Sequence, residues 1–344
     1  MQPNETSSPP FFIVSSPRSG STLLRLLLTA HPALCIPPES KFLVRLHERF
    51  GAKASLDPAA LAEFVTHLYR DKKFSEWGIP EDLLREKLFS AAPLGFPAAV
   101  TMVYRTYMEK TWTEARIWGD KNPGYRRHIP TILSVYPEAK IIHLLRDVRA
   151  VYLSMKNVAL KNGKRPLGKI ARATQKWQMA IHEIRRHERP AQFLTIRYED
   201  LVTETEATLT RACEFLGVNF DARMLEFYAD NAARGLVPQN RLAKHANTLK
   251  PVTTQRMNAW QSELDRIEIE AIEYRNRALM DELGYPPVTH GLTLRSAGRL
   301  AVDFLEGLAA PVYSTFVRKS EDEDDEDEGT SESKTGESRS AIPG

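Results

Sequence analysis

The chain has 344 residues, 42% of them apolar, which is enough for one substantial core, and a formal charge of +3. Ser320–Gly344 hold ten acidic and two basic residues, leaving 45 basic against 34 acidic before them, so the body is about +11 and the tail about −8. A basic body suits an anionic ligand without identifying one, and two scattered cysteines, Cys35 and Cys213, exclude a disulfide framework and a metal-ligand spacing.

In chain order, polar residues lead through Pro9-Pro10 to the apolar run Phe11-Phe12-Ile13-Val14, without the basic segment of a signal peptide. Phe11 to Ser16 reads as a buried strand, followed by a Pro-Arg-Ser-Gly turn and a Leu-rich helix from about Ser21 that His31-Pro32 ends. Further buried strands are expected at Ala115 to Trp118, Lys140 to Leu145 and Gln192 to Ile196. Between them, Leu61 to Arg70, Pro80 to Phe89 and Val100 to Thr111 read as helices that cap or wall a substrate site.

Glu206 to Leu216 reads as a helix closed by Gly217, and Thr254 to Leu283 as one longer helix closed by Gly284. Strands alternating with helices predict an α/β fold, a mainly parallel sheet flanked by helices with ligands beyond the carboxyl ends of its strands. The expected organisation is a domain over residues 9–290, an amphipathic segment over 291–319 and an acidic tail over 320–344, which like-charge repulsion leaves disordered. The apolar stretch Leu300 to Val317 is interrupted by Asp303 and Glu306 and is shorter than the roughly 20 residues that span a bilayer. A cytoplasmic location follows, with peripheral membrane contact or docking onto the body as uses for that stretch.

Pro17-Arg18-Ser19-Gly20-Ser21-Thr22 lies between a strand and a helix, where turn N–H groups and the helix N-terminus together make an anion site. It is not the Gly-x-x-x-x-Gly-Lys-Ser/Thr loop of nucleoside triphosphatases, because the first glycine and the lysine are missing. A second junction follows the strand at Lys140 to Leu145, where Arg146 stands at the strand end and Ser154 about two helical turns later, able to face one anion. Asp147 is a natural cap for the helix between them.

The first loop resembles that of the PAPS-dependent sulfotransferases, PAPS being 3′-phosphoadenosine 5′-phosphosulfate. The continuation through Ala30-His31-Pro32 to Pro38-Glu39-Ser40 is most similar to the protein-tyrosine sulfotransferase branch. That resemblance implies a phosphate-loop-like fold and PAPS as sulfuryl donor. It implies that Arg18, Ser19, Gly20, Ser21 and Thr22 bind the 5′-phosphosulfate, and that Arg146 and Ser154 bind the 3′-phosphate with Arg149 in an adjacent basic position. It further implies that Tyr198 and, in a weaker match, Lys250 contact the nucleotide. Trp118-Gly119-Asp120-Lys121-Asn122-Pro123 resembles the family's Lys-x-Pro element, in which the lysine lies near the transferred group. Tyr198-Glu199-Asp200-Leu201, Phe215-Leu216-Gly217 and Leu283-Gly284-Tyr285 also recur there, whereas Ala259 stands where the tyrosine branch carries a lysine.

By the same resemblance Glu39 is the general base, with His31 and His128 as rivals, and Lys121 and Arg18 stabilise the charge that develops as adenosine 3′,5′-bisphosphate leaves. A sulfuryl group carries less negative charge than a phosphoryl dianion, so positioned cations suffice and no metal is expected. The acceptor is a hydroxyl on a tyrosyl peptide, carbohydrate, lipid or small metabolite. Competing readings are a small-molecule kinase with a degenerate loop and a non-catalytic nucleotide-binding protein. Nucleic-acid binding has no motif in its favour.

Overall fold

A computed structural model describes residues 8–112, 114–161, 169–229, 236–237 and 249–309. The acidic tail expected to be disordered lies outside the described residues. The centre of the molecule is one five-stranded, wholly parallel sheet: β1 (Phe11–Ser15), β2 (Leu34–Cys35), β3 (Ile117–Lys121), β4 (Lys140–Leu145) and β5 (Phe193–Arg197), in spatial order β2-β3-β1-β4-β5. β1 lies between β3 and β4, with Ile13 opposite Lys121 on one side and Ile142 on the other. The carboxyl ends of three strands therefore meet at one place, where the chain's crossovers leave to opposite sides.

Alternation along β1 builds both layers. Phe12 and Val14 enter a core roofed by α2 (Phe42–Phe50), α3 (Pro58–Tyr69), α4 (Glu81–Ser90) and α5 (Phe96–Thr111). Phe11 and Ile13 enter a second core with α1 (Ser21–Thr29) and with α9 (Tyr198–Thr203) and α10 (Thr205–Leu216), reached beyond β5. All four residues are fully buried, as a central parallel strand requires. The segments expected as capping helices are thus α3, α4 and α5, and they pack on one sheet face.

The sheet departs from expectation at β2, β3 and β5, and β1 stops at Ser15 instead of Ser16. β2 has only two residues, too short to leave a periodic signal. The third strand runs to Lys121 instead of ending at Trp118, since Asp120 and Lys121 are both buried in it. Such charges read as loop in a sequence but stay in a strand when partnered. The fifth begins at Phe193 and runs to Arg197.

A third core joins α7 (Val148–Lys161) and α8 (Lys169–Arg185) to the C-terminal helices. The expected single helix Thr254 to Leu283 is instead a short α11 (Trp260–Glu263) and a long α12 (Arg266–Glu282). Asp265 explains the break: its carboxylate accepts Glu268 N while Glu268 reaches back to Asp265 N, a capping box that starts a new helix. Gly284 adopts φ 71° after α12, and Gly217 φ 84° after α10, the left-handed closures expected for them. The last helix among the described residues, α13 (Leu294–Ala309), starts before the apolar stretch, and Ser296 at its first turn donates to Glu270 of α12. Among the described residues no helix is long and apolar enough to cross a membrane.

One buried ion network ties α12 to the start of α7. Arg149 pairs with Asp147 at 2.6 Å and with Glu273 at 2.6 Å, donates to Pro286 O, and lies over the Trp260 ring at 3.9 Å. Removing one member leaves the others charged and buried. Glu273→Ala is therefore expected to destabilise the fold by about 3–5 kcal/mol, read as a lower urea midpoint at unchanged slope.

Candidate active site

The site forms where β1, β3 and β4 end. Arg18 takes φ 66° and Gly20 φ 97°, so the chain reverses sharply between β1 and α1. A Cβ on Gly20 would lie 2.7 Å from Cδ2 of Tyr198, a ring that cannot yield cheaply at the foot of α9. Within the loop the hydroxyls of Ser16 and Ser19 are 2.6 Å apart, and Ser19 is fully buried, while Ser21 and Thr22 open α1.

The structure brings the two junctions together. Arg18 Nε donates to Ser154 Oγ at 3.2 Å, from the first loop to α7. Arg146 donates to Arg18 O at 3.3 Å and to Arg256 O at 2.9 Å, and its guanidinium lies 3.9 Å from the centre of the Tyr198 ring. Buried Nε of Arg146 has no hydrogen-bond partner, so a donor is left over at this junction. Trp177 Nε1 fixes the Arg146 carbonyl from α8.

Glu39 and Lys121 meet on the other side of β1. Lys121 Nζ donates to Glu39 Oε2 at 2.5 Å, and their side chains are 6% and 18% exposed in that order, so the contact is largely shielded from solvent. Residues around Glu39 are pinned in turn: Trp77 Nε1 donates to Pro38 O, and Asn122 Nδ2 to Ser40 O. Next to Lys121, the fully buried Asp120 accepts hydroxyl protons from Tyr104 at 2.5 Å and Tyr125 at 2.8 Å. Burial pushes its carboxyl up to about 6 against the pull of those hydrogen bonds.

Other candidates take different places. Arg149 turns away into the ion network with Asp147 and Glu273, so the position adjacent to Arg146 braces the junction and does not add a cation to the cleft. Lys250 is exposed, and the late segment reaches the junction through the Arg256 carbonyl. His31, a rival base, accepts from Ala33 N through Nδ1, which makes Nε2 the donor to Asn219 O at 2.8 Å. It also stands at the far end of α1, about 13 Å along that helix from the loop. His128 is half-buried where the turn after β3 meets α6 (Ile129–Val135). Cys35 and Cys213 are unbridged, and burial raises each thiol to about 12, in keeping with inert packing. A concavity of about 710 Å³ lined by His31, Arg116 and Asp221 lies at the opposite ends of the strands.

Sequence reasoning quoted Asp120 without a role and passed over Tyr104, Tyr125 and Lys73, the last 3.8 Å from Glu39 Oε1. No local pattern marks Tyr104 and Lys73, which come in from α5 and the turn after α3, and Tyr125, five residues beyond Asp120, carries no signal of its own.

With this geometry in place, the comparisons are specific. The sulfotransferase family model matches residues 9–222. Protein-tyrosine sulfotransferase 1 of Danio rerio is 22% identical over 81% of this chain and 73% of its own length. A protein-tyrosine sulfotransferase of Drosophila melanogaster is 24% identical over 74% of this chain, which spans about half, 48%, of that relative. The solved sulfotransferase domain of the Synechococcus PCC 7002 olefin synthase aligns with a TM-score of 0.56 at 26% identity, over 83% of this chain and 98% of that one.

Two outcomes follow from the geometry. Gly20→Ala is expected to weaken nucleotide binding at least tenfold in calorimetry, because the new methyl displaces the Tyr198 ring beneath Arg146. Asp120 has a folded-state pKa above its unfolded value, so its contribution to stability is complete below about pH 4 and fades as pH rises through about 6. Wild-type melting temperature is expected to fall relative to Asp120→Asn across that window, measured in parallel scans.

Proposed function

The chain belongs to the sulfotransferase family and transfers a sulfuryl group to an acceptor hydroxyl, and from that premise we propose that its donor is PAPS, gripped at both ends by the two fused junctions. Arg18, Ser19, Gly20, Ser21 and Thr22 hold the 5′-phosphosulfate, Arg146 and Ser154 the 3′-phosphate, and Tyr198 and Lys250 the nucleotide. The observation that carries this reading is the hydrogen bond from Arg18 to Ser154, which makes one cleft of two anion sites. Arg146 Nε supports it as well, since a buried donor without a partner is suited to an incoming phosphate oxygen.

Bound PAPS supplies the activated sulfuryl group. Glu39 removes the acceptor proton, and its carboxylate is ready for that role because Lys121 favours the ionised form. Lys121 and Arg18 hold the negative charge that grows on the leaving oxygen, as preorganised cations that need not reorganise during the reaction. These charges come from side chains, so the reading calls for no metal.

A kinase reading is less well supported, because the loop lacks the lysine that serves triphosphates. Nucleic acid is not among the proposed partners. The division at residues 9–290, 291–319 and 320–344 belongs to the same proposal, as does a cytoplasmic setting, which suits two unbridged buried thiols. For the stretch after residue 291 the reading favours docking onto the body, where Ser296 donates to Glu270 of α12, over peripheral membrane contact.

Incubation with radiolabelled PAPS and a panel of tyrosyl peptides, oligosaccharides, hydroxylated lipids and small alcohols is expected to label one acceptor class. Glu39→Gln should lower that turnover by roughly 10²–10⁴-fold and keep adenosine 3′,5′-bisphosphate binding, whereas Arg146→Ala should weaken that binding roughly 10- to 100-fold. Near-normal turnover by Glu39→Gln would remove the base assignment.

A further inference from the structure

The ammonium groups of Lys121 and Lys73 reach different carboxylate oxygens of Glu39. Lys121 Nζ on β3 donates to Oε2 at 2.5 Å, and Lys73 Nζ, from the turn after α3, lies 3.8 Å from Oε1. The side chains of Lys73 and Glu39 are 24% and 18% exposed, so water screens their attraction only in part. A freely exposed pair would contribute little.

Lys73 is held in register by a carboxylate. Asp71, 6% exposed, accepts Lys73 N on Oδ1 at 2.9 Å, and on Oδ2 it accepts the hydroxyl of Ser40 at 3.0 Å together with the guanidinium of Arg45. Ser40 follows Glu39 directly. One side chain thus ties the hydroxyl of the residue beside the proposed base to the backbone N–H of Lys73. Lys121, Lys73 and Asp120 act on Glu39 directly, and the segments that carry them or follow it also bear Asp71 and Lys72 in the turn and Lys41 and Arg45 at the start of α2. Arg45 is engaged by Asp71, and Asp120 opposes ionisation of Glu39, as like charges do.

Resting on the reading of Glu39 as base, we propose that Lys73 is a positioning residue that keeps Glu39 ionised and oriented while Lys121 serves the transferred group. Donor and acceptor exclude water from the cleft, and dehydration favours a protonated, inactive carboxyl. Lys121 must then divide its charge between Glu39 and an anionic donor. Lys73 stands on the far oxygen of Glu39 and is not divided in this way.

The test uses full-length protein carrying ¹³C at the Glu δ carbons, saturated with adenosine 3′,5′-bisphosphate, with the Glu39 signal assigned by its loss in Glu39→Gln. A cation favours the charged form of a carboxyl, so its removal raises the pKa. Lys73→Met is expected to raise the Glu39 pKa by about half to one unit, and Lys73→Arg to restore most of the shift. An unchanged Glu39 titration in a folded Lys73→Met protein, with Glu39→Gln inactive, overturns this proposal alone. Normal turnover by Glu39→Gln on the labelled acceptor panel would remove the base reading, and this proposal with it.

Discussion

The site depends on a single constraint: β1 lies between β3 and β4, and all three run the same way. The loop after β1 is therefore within reach of the helix after β4 and of the lysine that ends β3. Arg18 to Ser154 is the direct expression of that arrangement, and Arg146 to Arg18 O is its second strand of support. Were β1 at an edge, it could adjoin only one of β3 and β4, and one of the two meetings would be lost.

Holding so many cations close together has an energetic cost, which other elements offset. Arg149 is neutralised by Asp147 and Glu273 and covered by Trp260, so the start of α7 is braced from behind by the C-terminal helices. Glu199 closes the adjacent gap, accepting Asp147 N and the Tyr285 hydroxyl, and burial raises its carboxyl above the usual range. Buried ion pairs of this kind are a poor source of net stability and a good source of fixed geometry once each member has its partners. The C-terminal region, which carries no motif of its own beyond Leu283-Gly284-Tyr285, thereby positions the junction between β4 and α7.

Much of this was legible in the sequence because strand-to-helix junctions have local signatures. Pro17 to Thr22 soon after four apolar residues, and Arg146 with Ser154 after another apolar run, marked the two junctions that the structure brings side by side, and the family resemblance singled out Glu39 and Lys121, which meet at 2.5 Å. What was not legible depends on tertiary partners. The role of Arg149 turns on Glu273, 124 residues later, and Asp120 is held in its strand by the hydroxyls of Tyr104 and Tyr125, which both donate to Oδ2. Lys73 gains its place through Asp71 and Ser40, which lie on separate segments. The break before α12 was present in Asp265 and Glu268 but was overridden by a helical periodicity that continues across it.

The central claim is that two cationic junctions hold one nucleotide, and it is tested most directly by removing each phosphate from the ligand while leaving the protein untouched. Calorimetric titration should give adenosine 3′,5′-bisphosphate an affinity at least about 100-fold higher than either adenosine 5′-monophosphate or adenosine 3′-monophosphate, since each loses a charge-assisted set of contacts. Equal affinity for the bisphosphate and either monophosphate would contradict the account, because one junction would then make no contact with the nucleotide.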